Sequence, residues 1–490
     1  MVTSDFLKTA LVKHNYFPSQ KENSEELPPI FKTTDLDDVI VRDIIALPFS
    51  RAGMCYDQID YRATRFNNVS RPMSIPHPKP YLNLVDQLSS HWNEYNFIST
   101  NEKSVVRPRR HDDGRVIIMD YESNYQRTRN QLSGSFGTKY IVRTDIKNFY
   151  PSIYSHSVPW ALVGVERAKR ERNPNLWFNQ IDQKIRSVKR GETNGVPIGP
   201  ATSNIVSEIL LHTIDEKLSE DYPHHIRYID DYTSFHETRE KAENFVIDLE
   251  KYLAEYKLIL SISKTSIVEQ PVSLSDDWVS DLTTRMPNEE IIKSASAIRF
   301  LDYANQLRQK HPDGSVLKYA VKSIINKLDV KAESPVLDYI FNTAIKFPIV
   351  IPIMEKIFNE RPSRMTPTRK AKIKVLLEEH IKYNRHDMVC WLLFYVLKYK
   401  IRLNQDIRKA IIESEDCLSK YLLLLKYNDD QLLISEIKRI ANSNDKYLWD
   451  INWLLVYEGF RRNIIENPYE DGVFEILKAA DVKFHYELTE

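Results

Sequence analysis

The sequence predicts an α+β domain followed by an all-α domain. The chain has 490 residues, which is more than one ordinary hydrophobic core holds. Strand and helix signals alternate in its first part, an order typical of a sheet with helices on one face. From about residue 287 only helical stretches follow one another. We therefore place the two domains at residues 1–286 and 287–490.

The elements of the first domain are predicted from hydrophobic periodicity. Strand signals lie at 115–119, 139–146 and 226–235. Helical periodicity lies at 201–219 and 237–257, where apolar residues recur at three- and four-residue spacing. Prolines and acidic residues before the first of these elements predict an extended amino-terminal arm that enters a helix.

The second domain is predicted to consist of helices separated by short breaks. The breaks are His311-Pro312-Asp313-Gly314, Phe347-Pro348, Arg361-Pro362, Tyr383-Asn384 and Tyr427-Asn428-Asp429. Their spacing resembles that of helical repeats, whose period is ~35 to 45 residues, so we predict a HEAT-like helical-repeat domain. No repeated signature sequence accompanies the spacing, which leaves an irregular helical bundle as the alternative.

Charge and cysteine usage limit the classes of protein to consider. The 68 basic residues balance 68 acidic ones, so binding of nucleic acid phosphates must come from local patches. Three cysteines, far apart and without metal-ligand spacing, favour small core residues in a reducing cytoplasm. The first residues include charged side chains where a secretory signal needs an apolar run. The longest apolar stretch, Met388 to Leu397, is too short to span a bilayer, so we expect a cytoplasmic protein without membrane contact.

Three carboxylates carry the strongest chemical signal. Asp230 and Asp231 lie in the run Arg-Tyr-Ile-Asp-Asp-Tyr, which predicts a tight β-hairpin with both acids at its tip. Asp145 ends an apolar strand earlier in the chain. Carboxylates that converge from neighbouring strands hold the two divalent ions of nucleotidyl transfer, Mg²⁺ or Mn²⁺. The simpler alternative is a solvated turn, where Asp is a favoured residue.

Other residues are candidates for nucleotide binding because of their position in the chain relative to these acids. Tyr150 follows Asp145 at a distance that lets its ring pack against the sugar of an incoming nucleotide, although a core aromatic is the simpler explanation. Gly199 and Pro200 form a turn that allows close backbone approach to a base pair and opens into a helix capped near Thr202 or Ser203. Lys264 follows the long helix and is suited to contact a triphosphate or to protonate pyrophosphate.

This order of motifs resembles that of reverse transcriptases over about residues 60 to 270. The resemblance is closest to the abortive-infection reverse transcriptases of bacterial phage defence, in particular their P2-prophage branch. It rests on the segments Tyr16-Phe17-Pro18, Leu27-Pro28-Pro29-Ile30-Phe31, Ile146 to His156 and Pro197 to Ser203. It implies that residues 1–286 form fingers and palm with an amino-terminal arm.

The resemblance also implies roles for individual residues. Asp145, Asp230 and Asp231 match the catalytic aspartates, with the Ile146 carbonyl as a further metal ligand. Tyr150 matches the position that excludes a ribose 2′-hydroxyl.

Further positions concern the nucleotide and the template. Arg71 matches a fingers residue that contacts the triphosphate, with a structural salt bridge as the alternative. Gly199, Pro200 and Lys264 would also bind the nucleotide, and Ile198 stands where templated enzymes have Gln.

Members of this family extend DNA without a template, prime from a tyrosine of their own chain, form homo-oligomers and block phage growth. The resemblance therefore implies dNTP substrates and a DNA product covalently attached to the protein. Tyr16, in the proline-flanked arm, is a candidate primer, with a structural anchor as the alternative. Two other functions stay open: templated synthesis on a non-coding RNA, and a non-catalytic helical scaffold that binds nucleic acid.

Overall fold

The computed structural model describes residues 2–18, 25–49, 51, 55–65, 68–119, 124–273, 275–312 and 314–488. The strands are Gln58–Thr64 (β1), Ser70–Pro76 (β2), Tyr140–Asp145 (β3), His225–Tyr228 (β4), Asp231–His236 (β5) and Ser266–Glu269 (β6). The helices of the first half are Ser4–Lys13 (α1), Asp38–Ala46 (α2), Pro78–Ser90 (α3), Trp92–Tyr95 (α4), Asn124–Ser135 (α5), Phe149–Ser152 (α6), Ser157–Val163 (α7), Val165–Arg170 (α8), Trp177–Ser187 (α9), Ala201–Asp221 (α10) and Arg239–Glu255 (α11). The helices that follow β6 are Asp277–Arg285 (α12), Ser294–Lys310 (α13), Val316–Ile325 (α14), Val330–Ala344 (α15), Met354–Glu360 (α16), Pro367–Lys382 (α17), His386–Lys398 (α18), Gln405–Glu413 (α19), Cys417–Lys426 (α20), Gln431–Ala441 (α21), Lys446–Asp450 (α22), Trp453–Arg461 (α23) and Val473–Ala479 (α24).

A four-stranded antiparallel sheet organises the first half, in the order β4-β5-β3-β6. Side chains alternate between its two faces. Tyr232 and Ser234 are buried on the face that α10 and α11 cover. Asp145 and Asp231 lie on the opposite face, where α5 packs against Phe235 of β5. One face of the sheet is therefore core, and the other carries the acidic residues.

Helix α10 is enclosed in the core of the first half. Most of its 21 residues are buried, on nearly its whole circumference, and these include polar and acidic residues as well as apolar ones. Helix α11 is amphipathic, and its buried residues Ala242, Phe245, Leu249 and Leu253 form a single stripe. Thr238 caps α11 by accepting a hydrogen bond from the Lys241 backbone N–H.

The helical half packs back onto the first half. Helices α17, α18, α20 and α23 contact one another in succession, and α18 also packs on β1. Asp387 of α18 accepts hydrogen bonds from the backbone N–H and the hydroxyl of Thr64 in β1, at 2.7 and 2.9 Å. The indole of Trp453 in α23 donates to the Ile75 carbonyl of β2 at 3.2 Å. Buried side chains from both halves thus belong to one continuous core.

The predicted fold class, an α+β part followed by helices, is confirmed. The strand predicted at 115–119 is wrong, because the Val116 N–H donates to the Asn15 side chain instead of to a neighbouring strand. The predicted breaks in the second half all fall between helices, with Asp313 outside the described residues. The boundary at 286/287 stays a prediction. No helix in the described part of the chain is both long and apolar enough to cross a membrane.

Candidate active site

The hairpin β4–β5 carries two of the predicted acids. Tyr228 pairs with Asp231, so Ile229 and Asp230 form a two-residue turn. Ile229 has φ of 56°, a conformation that a β-branched residue rarely adopts. Two-residue hairpin turns need positive φ at the first turn position, which favours Gly, Asn or Asp there. The tip that presents Asp230 is therefore strained, a feature found most often at functional sites.

Asp145 lies beside this tip. It ends β3, the neighbour of β5, directly opposite Asp231. The Ile146 N–H donates to the Asp230 carbonyl at 3.3 Å, which ties the end of β3 to the turn. Because the N–H and C=O of an extended residue point to the same side, the Ile146 carbonyl faces Asp230 as well. The structure thus brings Asp145, Asp230, Asp231 and Ile146 together at one edge of the sheet.

The carboxylates perturb one another. Desolvation, followed by the charge of Asp145, raises the pKa of Asp230 to about 6. Desolvation and the charges of Asp230 and Asp145 raise the pKa of Asp231 to about 7. Both shifts have the direction expected for acids that share a site without enough positive charge.

Lys264 supplies the nearest positive charge. It lies in a short 3-10 turn, Ile262–Lys264, and its ammonium forms an ion pair with Asp145. This hydrogen bond raises the pKa of Lys264. Because the Lys264 side chain is 65 % exposed, it can leave Asp145 without disturbing the core.

The donors at this edge fit Mg²⁺ or Mn²⁺ in kind, since both ions prefer carboxylate and carbonyl oxygens. They are not yet arranged around a single point: among the described residues, no three His, Cys, Asp or Glu side chains form a ready-made ion site. Asp145 is paired with Lys264 instead, and the carboxylates repel each other. Two cations at this edge would relieve that repulsion.

A buried charge network beneath the hairpin was not predicted from the sequence. Arg227 is fully buried and donates to both carboxylate oxygens of Glu208, at 2.9 and 3.0 Å. It also donates to Asp215 at 2.9 Å and to the Ile229 carbonyl at 2.9 Å. The Tyr232 hydroxyl donates to Asp215 at 3.1 Å. Arg227 therefore holds the strained turn from below.

The sequence did contain a signal for this network. Glu208 and Asp215 are seven residues apart on α10, which places them on the same helix face. Two acids on one buried helix face need a buried partner. The only cation beside the Asp-Asp pair in its motif is Arg227.

Tyr150 and Arg71 lie near the acidic edge. Tyr150 is 5 % exposed, and its hydroxyl accepts a hydrogen bond from the Asn204 amide at 2.8 Å. Burial, followed by the charge of Asp230, raises the pKa of Tyr150. Arg71, in β2, is close enough to both Asp230 and Tyr150 to shift their pKa values downward. It forms no ion pair with any described residue, so the structure gives no support to a structural salt bridge.

The Gly199-Pro200 turn is covered by other segments of the same chain. Gly199 has φ of 134°, and a Cβ there would lie 2.6 Å from Pro18 and 3.2 Å from the Ser74 carbonyl. Helix α10 starts at Ala201 with Pro200 at its cap position, so the expected cap at Thr202 or Ser203 is wrong. The first N–H of the helix donates instead to the Asn15 carbonyl of the arm, at 2.9 Å.

Tyr16 lies in the hydrophobic core. Its side chain is completely buried, its ring stacks on Tyr81 at 3.8 Å, and its hydroxyl donates to the Pro76 carbonyl at 2.6 Å. These contacts fix the arm to the first half, as the alternative of a structural anchor requires.

Part of this chain matches the model of a known protein family. Residues 83–302 match the model of the family described as reverse transcriptase (RNA-dependent DNA polymerase). A search among curated proteins found no match.

Solved structures similar to this chain include fungal telomerases. The apo telomerase of Candida tropicalis is 12% identical with a TM-score of 0.33, and the match covers 77% of this chain and 76% of that one. A second C. tropicalis structure, with a TWJ fragment of telomeric RNA, is 13% identical with a TM-score of 0.30, over 73% of this chain and 65% of that one. The corresponding Candida albicans structure is 12% identical with a TM-score of 0.28, over 84% of this chain and 68% of that one.

Proposed function

We propose that this chain, in which residues 83–302 match the reverse transcriptase model, is a polymerase of that family and that it synthesises DNA without a template, primed from one of its own tyrosines. The observation that carries the catalytic part is the convergence of Asp145, Asp230 and Asp231 at one sheet edge. Its biological role would be abortive-infection defence against phage, in the form of a homo-oligomer with DNA covalently attached.

The residues at the edge have separate tasks in this proposal. The three carboxylates and the Ile146 carbonyl would hold Mg²⁺ or Mn²⁺. When bound, these ions would make the 3′-hydroxyl more acidic and neutralise charge on the triphosphate. Arg71 binds the triphosphate from β2, and Lys264 protonates the departing pyrophosphate. Tyr150 lies beside Asp230 and packs against the sugar of the nucleotide.

Two features of the Gly199 turn support synthesis without a template. Ile198, adjacent to Gly199, replaces the Gln of templated enzymes and offers no polar side chain to a template base. Pro18 of the arm lies against Gly199, at the place where we expected the backbone to approach a base pair. An arm in this position competes with a template strand for the same surface.

The priming tyrosine differs from Tyr16, whose hydroxyl is buried and already hydrogen-bonded. A primer needs a hydroxyl that reaches the acidic edge. The chain has 27 tyrosines, so a scan of Tyr→Phe variants for loss of labelling is the direct way to find it. Tyr121 belongs in that scan, although it lies outside the described residues.

The test is a labelling assay on the purified full chain with Mg²⁺, labelled dNTPs and no added nucleic acid. We expect the label to become covalently attached to the protein and to shift it upward on a denaturing gel. Asp230→Ala should abolish labelling, whereas Asp429→Ala, which removes an exposed carboxylate from a loop of the helical half, should not. Label that depends on added RNA would instead support templated synthesis, and absence of incorporation under both conditions would support a non-catalytic scaffold.

A further inference from the structure

Asn204 connects the catalytic edge to helix α10. It lies in the first turn of that helix and is 7 % exposed. Its amide nitrogen donates to the Tyr150 hydroxyl at 2.8 Å and approaches the sulfur of Met119 at 3.1 Å. Neither contact contributes to the hydrogen bonds of the helix itself. The side chain is therefore directed at Tyr150 and not at its own backbone.

The bond between Asn204 and Tyr150 is buried, because both side chains are less than a tenth exposed. Ser207, three residues further along α10, donates its hydroxyl hydrogen to the Asn204 carbonyl at 2.8 Å. If the Tyr150 ring turned or withdrew, the Asn204 amide would lose this buried partner, and a buried donor left unpaired is costly.

A fixed position of the Tyr150 ring affects which sugar the site accepts. The Tyr150 hydroxyl is within electrostatic reach of Asp230 and Arg71, the groups that would bind the metal and the triphosphate. A nucleotide bound between them places its sugar against this ring. Exclusion of a 2′-hydroxyl depends on a ring that does not yield, because a mobile ring makes room for one extra oxygen.

We propose that Asn204 is a positioning residue that sets the preference for deoxyribonucleotides over ribonucleotides by anchoring the Tyr150 hydroxyl. The inference rests on the proposed polymerase function and deepens it. The sequence matches Tyr150 to the position that excludes a ribose 2′-hydroxyl and gives its phenol hydroxyl no role. In the structure, that hydroxyl is the point at which the ring is fixed.

The test compares Asn204→Ala, Tyr150→Phe and the double variant in the labelling assay. The quantity measured is the ratio of kcat/KM for a dNTP to that for the matching rNTP. We expect each single variant to lower this ratio about tenfold, the equivalent of one lost hydrogen bond. The double variant should fall no further than either single one, because both remove the same contact.

Asn83→Ala is the matched control. Asn83 is also a buried helical asparagine, and its amide donates at 2.9 Å to the Lys79 carbonyl of its own helix. It should lower the melting temperature as much as Asn204→Ala does and leave the ratio unchanged. Tyr150→Phe removes a single oxygen, so it keeps the test decisive if Asn204→Ala fails to fold.

The outcomes separate the inference from the function on which it rests. Normal dNTP incorporation with an unchanged ratio in Asn204→Ala or in Tyr150→Phe would overturn the inference alone. Additive losses in the double variant would also overturn it, because Asn204 would then act independently of the hydroxyl. If the unmodified chain incorporates neither nucleotide, the proposed function and this inference fall together.

Discussion

The ammonium of Lys264 is ion-paired with Asp145, the carboxylate that ends β3. Asp145 is also the acid that faces Asp231 across the paired strands. Asp145 thus binds a lysine in this structure and would bind a metal ion in the proposed reaction. Binding of the ion requires the lysine to move, and the lysine is then free to approach a triphosphate.

Lys264→Met should therefore tighten metal binding in the absence of nucleotide. Loss of a partly exposed ion pair is worth about 1 kcal/mol, which corresponds to roughly fivefold in the dissociation constant. Titration with Mn²⁺, followed by the paramagnetic signal of the free ion, measures this constant. Lys251→Met, which removes an exposed lysine from α11, should leave it unchanged. Weaker or unaltered binding in Lys264→Met would contradict the competition between lysine and metal.

Arg227→Met should destabilise the protein strongly. The substitution leaves Glu208 and Asp215 buried without their partner, which costs about 3–5 kcal/mol. Urea unfolding measures this loss.

Two variants show whether uncompensated charge is the cause of that loss. Arg239→Met, which removes an exposed pair with Glu243, should leave the free energy of unfolding almost unchanged. Adding Glu208→Gln and Asp215→Asn to Arg227→Met should recover part of the stability. A triple variant as unstable as the single one would show that packing, and not charge, is responsible.

Several elements that depend on local hydrophobic pattern were predicted correctly from the sequence. The strand at Asp145, the hairpin at Asp230 and the two long helices follow from periodicity and were found near their predicted bounds. The contacts of Asn15 and Pro18 were not predictable in this way. They join the arm to residues about 100 or more positions away, such as Val116 and Gly199, and long-range pairing leaves no periodic trace.

The same limit applies to the environment of Tyr16. A proline-flanked segment near the amino terminus is usually exposed, because terminal segments are rarely tied down. Here the partners Tyr81 and Pro76 come from distant parts of the chain. Burial was therefore a property of the tertiary structure and not of the segment.

Asp387 should make stability depend on pH. It is buried at the contact between α18 and β1, and desolvation raises its pKa to about 7. Its folded-state pKa thus lies above the unfolded value near 3.8, so the fold favours the protonated acid. Its contribution to stability is complete at low pH and is lost as the pH rises through about 7.

The measurement compares the free energy of unfolding of the unmodified chain with that of Asp387→Asn. The stability of the unmodified chain relative to the variant should fall by about 2 kcal/mol between about pH 5 and pH 8. Asp429→Asn, at an exposed position, should show no such trend. A difference that is constant over this range would mean that Asp387 is ionised throughout.

Tyr16→Phe should keep covalent labelling while lowering stability. The hydroxyl donates at 2.6 Å to the Pro76 carbonyl within a fully buried site, and its removal leaves that carbonyl without this donor. The expected cost is about 1 kcal/mol in the free energy of unfolding, measured with urea. Labelling with dNTPs and Mg²⁺ should match that of the unmodified chain, because a buried, bonded phenol is not the primer. Loss of label in a variant that remains folded would show that the arm leaves this site and that Tyr16 reaches the acidic edge after all.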